Sequence, residues 1–143
     1  MINAYAVSKP GGTLAPFEYD PGELGVSEVE LDVLYSGVCH TDLGMIDNDW
    51  GFSQYPLVPG HEIVGRITGI GDNVSGLEIG QVVGLGFHAG YCLACEECDR
   101  GDHNLCAGAR PIMAGRHGGF ADKVRADAAS LVPIPSDIDL ASA

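Results

Sequence analysis

A chain of 143 residues, 45% of them apolar, is long enough to bury one core and too apolar to stay disordered. Twenty acidic against seven basic side chains leave a net charge of −13, which repels nucleic acid and anionic membrane surfaces, and no local basic patch relieves it. No run approaches the about 18 apolar residues of a membrane span, and Met1 opens neither a charged nor an apolar leader, so a cytoplasmic protein without membrane partners is expected.

The 21 glycines and 8 prolines lie scattered between short apolar runs, the pattern of many turns and short strands, and hence of a mainly β domain. Residues 2–7 and 14–19 read as two strands joined by the turn Lys9-Pro10-Gly11-Gly12. Glu28 to Tyr35 is the clearest strand, with Val29, Leu31, Val33 and Tyr35 on one face and acids largely on the other. It ends at Ser36-Gly37, which puts Cys39 just past a strand end and leaves Thr41 placed to cap a short helical turn through Met45. Residues 47–60, rich in aromatics and prolines, read as a surface loop that returns the chain to His61. Glu62 to Ile70 and Gln81 to His88 read as two more strands, with turn material at 71–73 and 77–80. Gly118-Gly119-Phe120-Ala121 leads into another strand, and Leu131 to Pro135 follows. Ser136 to Ala143 has the look of a capped helix start, which is not how a domain usually finishes, so a longer native polypeptide is expected. There is no internal repeat or low-complexity tract.

Two groups of residues carry chemistry. Cys92, Cys95, Cys98 and Cys106 follow the spacing Cys-x2-Cys-x2-Cys-x7-Cys, which lets four thiolates meet one ion at about 2.3 Å in a tetrahedron, so a structural zinc is expected. The alternatives are an iron–sulfur cluster, a disulfide pair or free thiols; the iron–sulfur run wants its fourth cysteine sooner and a proline behind it, where this chain has Ala107. With its shell full, such a site ties a short polar loop together, and His103 in the same loop reads as a solvated histidine. The second group is Cys39, His61 and Glu62, among glycines at 37, 60 and 65. Singly, each has a plain reading as a small buried thiol, a turn histidine and a surface acid; together they form a candidate second metal site.

Gly37-Val38-Cys39-His40-Thr41-Asp42, Gly60-His61-Glu62-Ile63-Val64-Gly65 and the four-cysteine lobe, in this order, resemble the zinc-dependent medium-chain alcohol dehydrogenases over essentially all 143 residues. The 50–56 loop and His117-Gly118-Gly119-Phe120-Ala121 are similar to the cinnamyl-alcohol-dehydrogenase-like branch and its broad-range aldehyde reductases. The resemblance implies a GroES-like, partly open β-barrel spanning 1–143, with short helices and a zinc lobe at about 89–108. It also implies a parent enzyme, a homo-oligomer in the cytoplasm, that interconverts primary alcohols and aldehydes with NADP(H).

By the same resemblance, Cys39 and His61 would ligate a catalytic zinc and Glu62 could join or exchange. Thr41 would handle the alcohol proton, Asp42 would orient His61, and His40 would lie near the cofactor. Trp50, Phe52 and Leu57 are candidates for an apolar pocket wall, core or loop packing being the plainer reading. Many relatives carry a relay histidine where this chain has Gly44, so proton exit from Thr41 would use water or cofactor hydroxyls. A third zinc ligand, a cysteine, and the Rossmann domain are expected beyond residue 143, since no Gly-x-Gly-x-x-Gly lies between a strand and a helix in this chain. The isolated chain is therefore expected to lack turnover. The competing reading is a stand-alone zinc-binding GroES-like interaction module without redox activity.

Overall fold

The computed structural model describes all 143 residues. Nine strands and two short helices occur in the order β1 (Ile2–Ala6), β2 (Ala15–Tyr19), β3 (Glu28–Ser36), α1 (His40–Asp47), β4 (Ile63–Ile70), β5 (Val82–Leu85), β6 (His88–Gly90), α2 (Glu96–Asp99), β7 (Arg110–Pro111), β8 (Lys123–Asp127) and β9 (Leu131–Pro133). Five strands form one antiparallel sheet in the order β8-β3-β4-β5-β9, while β1 pairs with β2 and β6 with β7. The sheet does not stop at β8. Tyr5 donates to the Phe120 carbonyl at 2.8 Å and Asp122 to the Asn3 carbonyl at 2.8 Å, so β1 carries on where β8 begins and the whole curls into a partly open barrel.

Burial follows the alternation that made β3 legible, but only for half its length. Val29 and Leu31 are fully buried, Val33 is partly buried, and Tyr35, expected on the same face, is about half exposed. The reason is a shift of register against β4 between Val33 and Tyr35: an extra residue turns the end of β3 out of the core. Around Leu31, the side chains of Val29, Ile63, Ile67, Val83, Leu85 and Val124 close the interior.

Four further expectations need correction. Cys39, not Thr41, stands at the N-cap of α1, because the backbone N–H of Cys39 already bonds the Asp42 carboxylate and starts the helix two residues earlier. The strand expected over 81–88 is two strands, since the chain breaks at Gly86-Phe87 and His88 turns away to pair with Pro111. The 47–60 loop crosses the surface only at first: Leu57 and Val58 are buried, and Leu57 exchanges two 2.9 Å backbone bonds with Val7. Ser136 to Ala143 forms turns and no helix.

The open face of the sheet is held by charge. Glu30 accepts from Arg125 at 2.8 and 2.9 Å and from Lys123 at 3.1 Å. Burial works to raise the Glu30 pKa, but these cations outweigh it and leave the carboxyl below its ordinary value. A depressed carboxylate pKa stabilises the fold above the unfolded value of about 4.3 and loses that contribution as pH falls through the folded value. In acid titrations followed by circular dichroism, Glu30→Gln should therefore be the less stable protein near neutrality and show a shallower loss of stability below about pH 4.3. In the core, Leu31→Ala should lower the unfolding free energy by about 2–5 kcal/mol in urea denaturation.

Candidate metal and substrate site

Cys39 reaches the site from the start of α1, and His61 and Glu62 from the residues that lead into β4. Their ligand atoms lie within 4.8 Å of one another. One side chain holds the two halves in place. The Asp42 carboxylate, 1% exposed, accepts from the backbone N–H of Cys39 at 2.9 Å and of Gly60 at 2.9 Å, and meets Nδ1 of His61 at 3.1 Å. An ionised carboxylate can only accept, so Nδ1 carries the proton and Nε2 keeps its lone pair for a ligand.

The approach to His61 is equally constrained. Residues 58–60 are clamped by three backbone bonds, from Gly118 to Val58, Gly119 to Gly60 and Phe120 to Pro59, at 2.8, 2.8 and 2.9 Å. Gly60 takes φ +100, where a side chain is strained, and a Cβ there would lie 2.7 Å from the Phe120 ring. Hence the glycines on both sides of this clamp: a Cβ at 60, 118 or 119 would lie under 3 Å from the facing backbone or a neighbouring side chain.

Two cavities flank the cluster. One, of about 490 Å³, is bounded by Thr41, Met45, Trp50, Phe52, His61 and Phe87. The other, of about 740 Å³, touches Gly37 and Glu62 and is closed on its far side by residues 132–143. The smaller one concerns chemistry more directly, because it opens on His61 and on the Thr41 hydroxyl, which lies 3.6 Å from Cys39 Sγ. Of the three suggested wall residues, Trp50 and Phe52 line this cavity, whereas Leu57 is core. Met45 and Phe87 line it as well, beyond the residues the sequence suggests. Phe87 meets the His61 ring edge-on at 5.7 Å, and the only sign of it in the sequence is the Gly84-x-Gly86 interruption just before it. His40 projects from the first turn of α1 and is exposed.

The four cysteines come together in a lobe based on β6 and β7, with α2 and a 3-10 turn at His103–Leu105 between them. None is disulfide-bonded. Sulfur separations of 3.5 Å for Cys92–Cys106 and 4.0 Å for Cys92–Cys98 bracket the edge of about 3.8 Å that a tetrahedron with 2.3 Å metal–sulfur bonds requires. The backbone N–H of Ala94, helped by Cys106 and Cys95, holds the Cys92 thiol down to about 6, so one thiolate is available at neutral pH. His103 stands outside the cluster, its ring stacked on Tyr91 at 5.0 Å.

The sequence profile of the alcohol dehydrogenase GroES-like domain matches residues 25–136. The chain belongs to that family. This GroES-like domain is 57% identical over 143 residues to aldehyde reductase AdhA of Synechocystis, covering all of this chain and 43% of that protein. Among solved structures it superimposes on a cinnamyl alcohol dehydrogenase of Sorghum bicolor with a TM-score of 0.90 at 33% identity, covering 97% of this chain and 42% of that one. For the cinnamyl alcohol dehydrogenase of Helicobacter pylori complexed with NADP(H) the values are 0.91, 26%, 98% and 43%. The chain thus spans less than half the length of these relatives.

Asp42→Asn offers an amide where three donors converge, and only its carbonyl oxygen can accept. The GroES-like domain carrying it should lose about 1–3 kcal/mol in urea denaturation, the cost of leaving buried donors unmatched.

Proposed function

We propose that this GroES-like domain is the zinc- and substrate-holding part of an alcohol dehydrogenase that interconverts primary alcohols and aldehydes. The observation that carries the reading is the cluster of Cys39, His61 and Glu62 beside a largely apolar cavity that His61 and Thr41 both line. The donor set fits zinc, being a thiolate, a neutral imidazole and an adjacent carboxylate, with a carboxylate behind the imidazole. Zinc bound there supplies a Lewis acid that favours the alkoxide form of an alcohol and polarises an aldehyde carbonyl. The hydride partner is a nicotinamide, NADP(H) by analogy with the Helicobacter pylori relative, held by a domain outside these residues.

The chain's own residues divide the remaining work. Cys39 and His61 are the firm ligands, and Glu62 stands close enough to join or exchange. Asp42 fixes the His61 tautomer and carries the charge that makes the imidazole a better donor. Thr41 donates to, or accepts from, the substrate oxygen and passes its proton outward, and His40, exposed on the first turn of α1, is the residue assigned to lie near the cofactor. Trp50, Phe52, Phe87 and Met45 exclude water from the bound carbon chain. Cys92, Cys95, Cys98 and Cys106 hold a second zinc whose role is to fold the lobe.

Metal analysis of the purified chain tests the assignment. About two zinc ions per chain should bind in excess metal, one released by mild chelation and one retained. Cys39→Ser should remove the labile ion alone, and Cys106→Ser should remove the retained ion together with the ordered lobe. Failure of Cys39→Ser to alter metal content would overturn the catalytic assignment. NADPH-dependent aldehyde reduction by the isolated chain would instead overturn the need for a separate cofactor domain.

A further inference from the structure

A row of rings runs from the Cys39, His61 and Glu62 cluster to the four-cysteine lobe. His61 meets Phe87 at 5.7 Å, Phe87 meets His88 at 5.5 Å, His88 meets Tyr91 at 5.7 Å and Tyr91 stacks on His103 at 5.0 Å, each step within the range of a favourable aromatic contact. The far end is built into the lobe, because Tyr91 precedes Cys92 and His103 lies one short turn before Cys106. The Cys92 N–H reaches Cys106 Sγ at 3.5 Å and the Cys106 N–H donates to the His103 carbonyl at 3.1 Å, so the Tyr91–His103 stack and the closed set of thiols are made together. The near end rests on a metal ligand. Asp42 holds the His61 ring through Nδ1, and one hydrogen bond fixes a point on a ring but not its plane. The perpendicular contact of Phe87 supplies the second restraint.

Phe87 is not held in place by the core, since it is 38% exposed. Its backbone belongs to the barrel: Ala89 is fully buried, and the Phe87 carbonyl accepts the N–H of the buried Ile112 at 2.7 Å. Its side chain is supported by rings, His88 behind it and Tyr91 behind His88. β6 and β7, three and two residues long and irregular in register, are too short to keep the lobe closed by their own pairing. The Arg110–Asp127 ion pair fixes the base of this stem and not its tip. Closure therefore comes from the thiols, and with the thiols apart the row of rings loses its far support. We infer that His88 and Tyr91 are positioning residues for the metal ligand His61: through Phe87 they make the affinity of the Cys39, His61 and Glu62 site depend on whether the four-cysteine lobe is filled. The inference rests on the assignment of metal to both clusters. Coupling of this kind is reciprocal, so each filled cluster tightens the other by the same factor.

Zinc binding by the purified chain reads this coupling, with a mild chromophoric chelator competing for the labile site and a strong one for the lobe. Cys106→Ser should weaken the labile site about tenfold, a size usual for coupled sites, although it touches none of that site's ligands. His88→Leu should keep the lobe zinc and weaken the labile site by a similar factor of about ten. His88→Phe, which keeps a ring in the row, should stay within about twofold of the wild type, and Tyr91→Leu should behave as His88→Leu does. The double variant Cys106→Ser/His88→Leu separates one shared route from two unrelated injuries. It should bind labile zinc no more weakly than Cys106→Ser alone, whereas losses that multiply to about a hundredfold would show independent effects and overturn the inference. In the other direction, Cys39→Ser should weaken zinc binding by the lobe by the same factor as Cys106→Ser weakens the labile site. A His88→Leu chain with its lobe zinc retained and wild-type affinity at the labile site overturns the inference whatever Cys106→Ser does. So does a His88→Leu chain that has lost the lobe zinc, because the ring then belongs to the lobe's own fold. A wild type that binds no labile zinc removes the metal assignment of Cys39, His61 and Glu62, whereas labile binding indifferent to both His88→Leu and Cys106→Ser removes only the coupling.

Discussion

The geometry of the site depends on one buried carboxylate. Asp42 belongs to the first turn of α1, where it would serve any helix by accepting the N–H of the capping residue. Here the same group reaches across to Gly60 and His61, eighteen and nineteen positions further on. Helix start and strand start are thereby joined through a single side chain, and the thiol of Cys39 and the ring of His61 inherit a fixed separation. Burying a charge is costly unless its lone pairs are matched, and three donors match these. The stability of the α1–β4 junction and the readiness of the ligand set are consequences of the same bonds.

From that junction the construction runs outward in both directions. The sheet supplies rigidity through Leu31 and its neighbours, and the clamp of residues 118–120 on 58–60 ties the approach of His61 to the strand that follows. The cavity is assembled last, from α1, from the loop after it, and from the Phe87 break between β5 and β6. Its lining is apolar except for Thr41 and His61, which is the division of labour expected where a carbon chain must be held and one oxygen must be acted on.

Much of this is legible in the residues because period and chemistry are local. The alternation of Val29 and Leu31 marks a strand, glycine and proline mark turns, and the thiols announce themselves by spacing. The proximity of Cys39, His61 and Glu62 is suggested for the same reason, since few other uses bring cysteine, histidine and glutamate together among glycines. What escapes is whatever depends on a partner distant in sequence. Tyr35 leaves the core because β4 sets a different register, Cys39 caps α1 because Asp42 bonds back to it, and Phe87 and Met45 meet only after the barrel has curled. The turns at 136–143 show the converse: a capping serine and an apolar residue two positions on do not by themselves make a helix.

The irregularity in β3 has a bearing on how this domain can vary over evolutionary time. Leu31 points into the core and Cys39 must arrive at the ligand cluster, so the number of residues between them fixes which way the thiol faces. The shifted pairing after Val33 is what reconciles those two demands. Leu34, Tyr35 and Val38, all exposed within this isolated chain, are free to exchange for other side chains as far as its own packing is concerned. Their count is not free: one residue gained or lost in the segment would rotate Cys39 away from His61 while leaving composition and hydrophobic pattern almost untouched. Length, more than identity, is the heritable specification of this stretch.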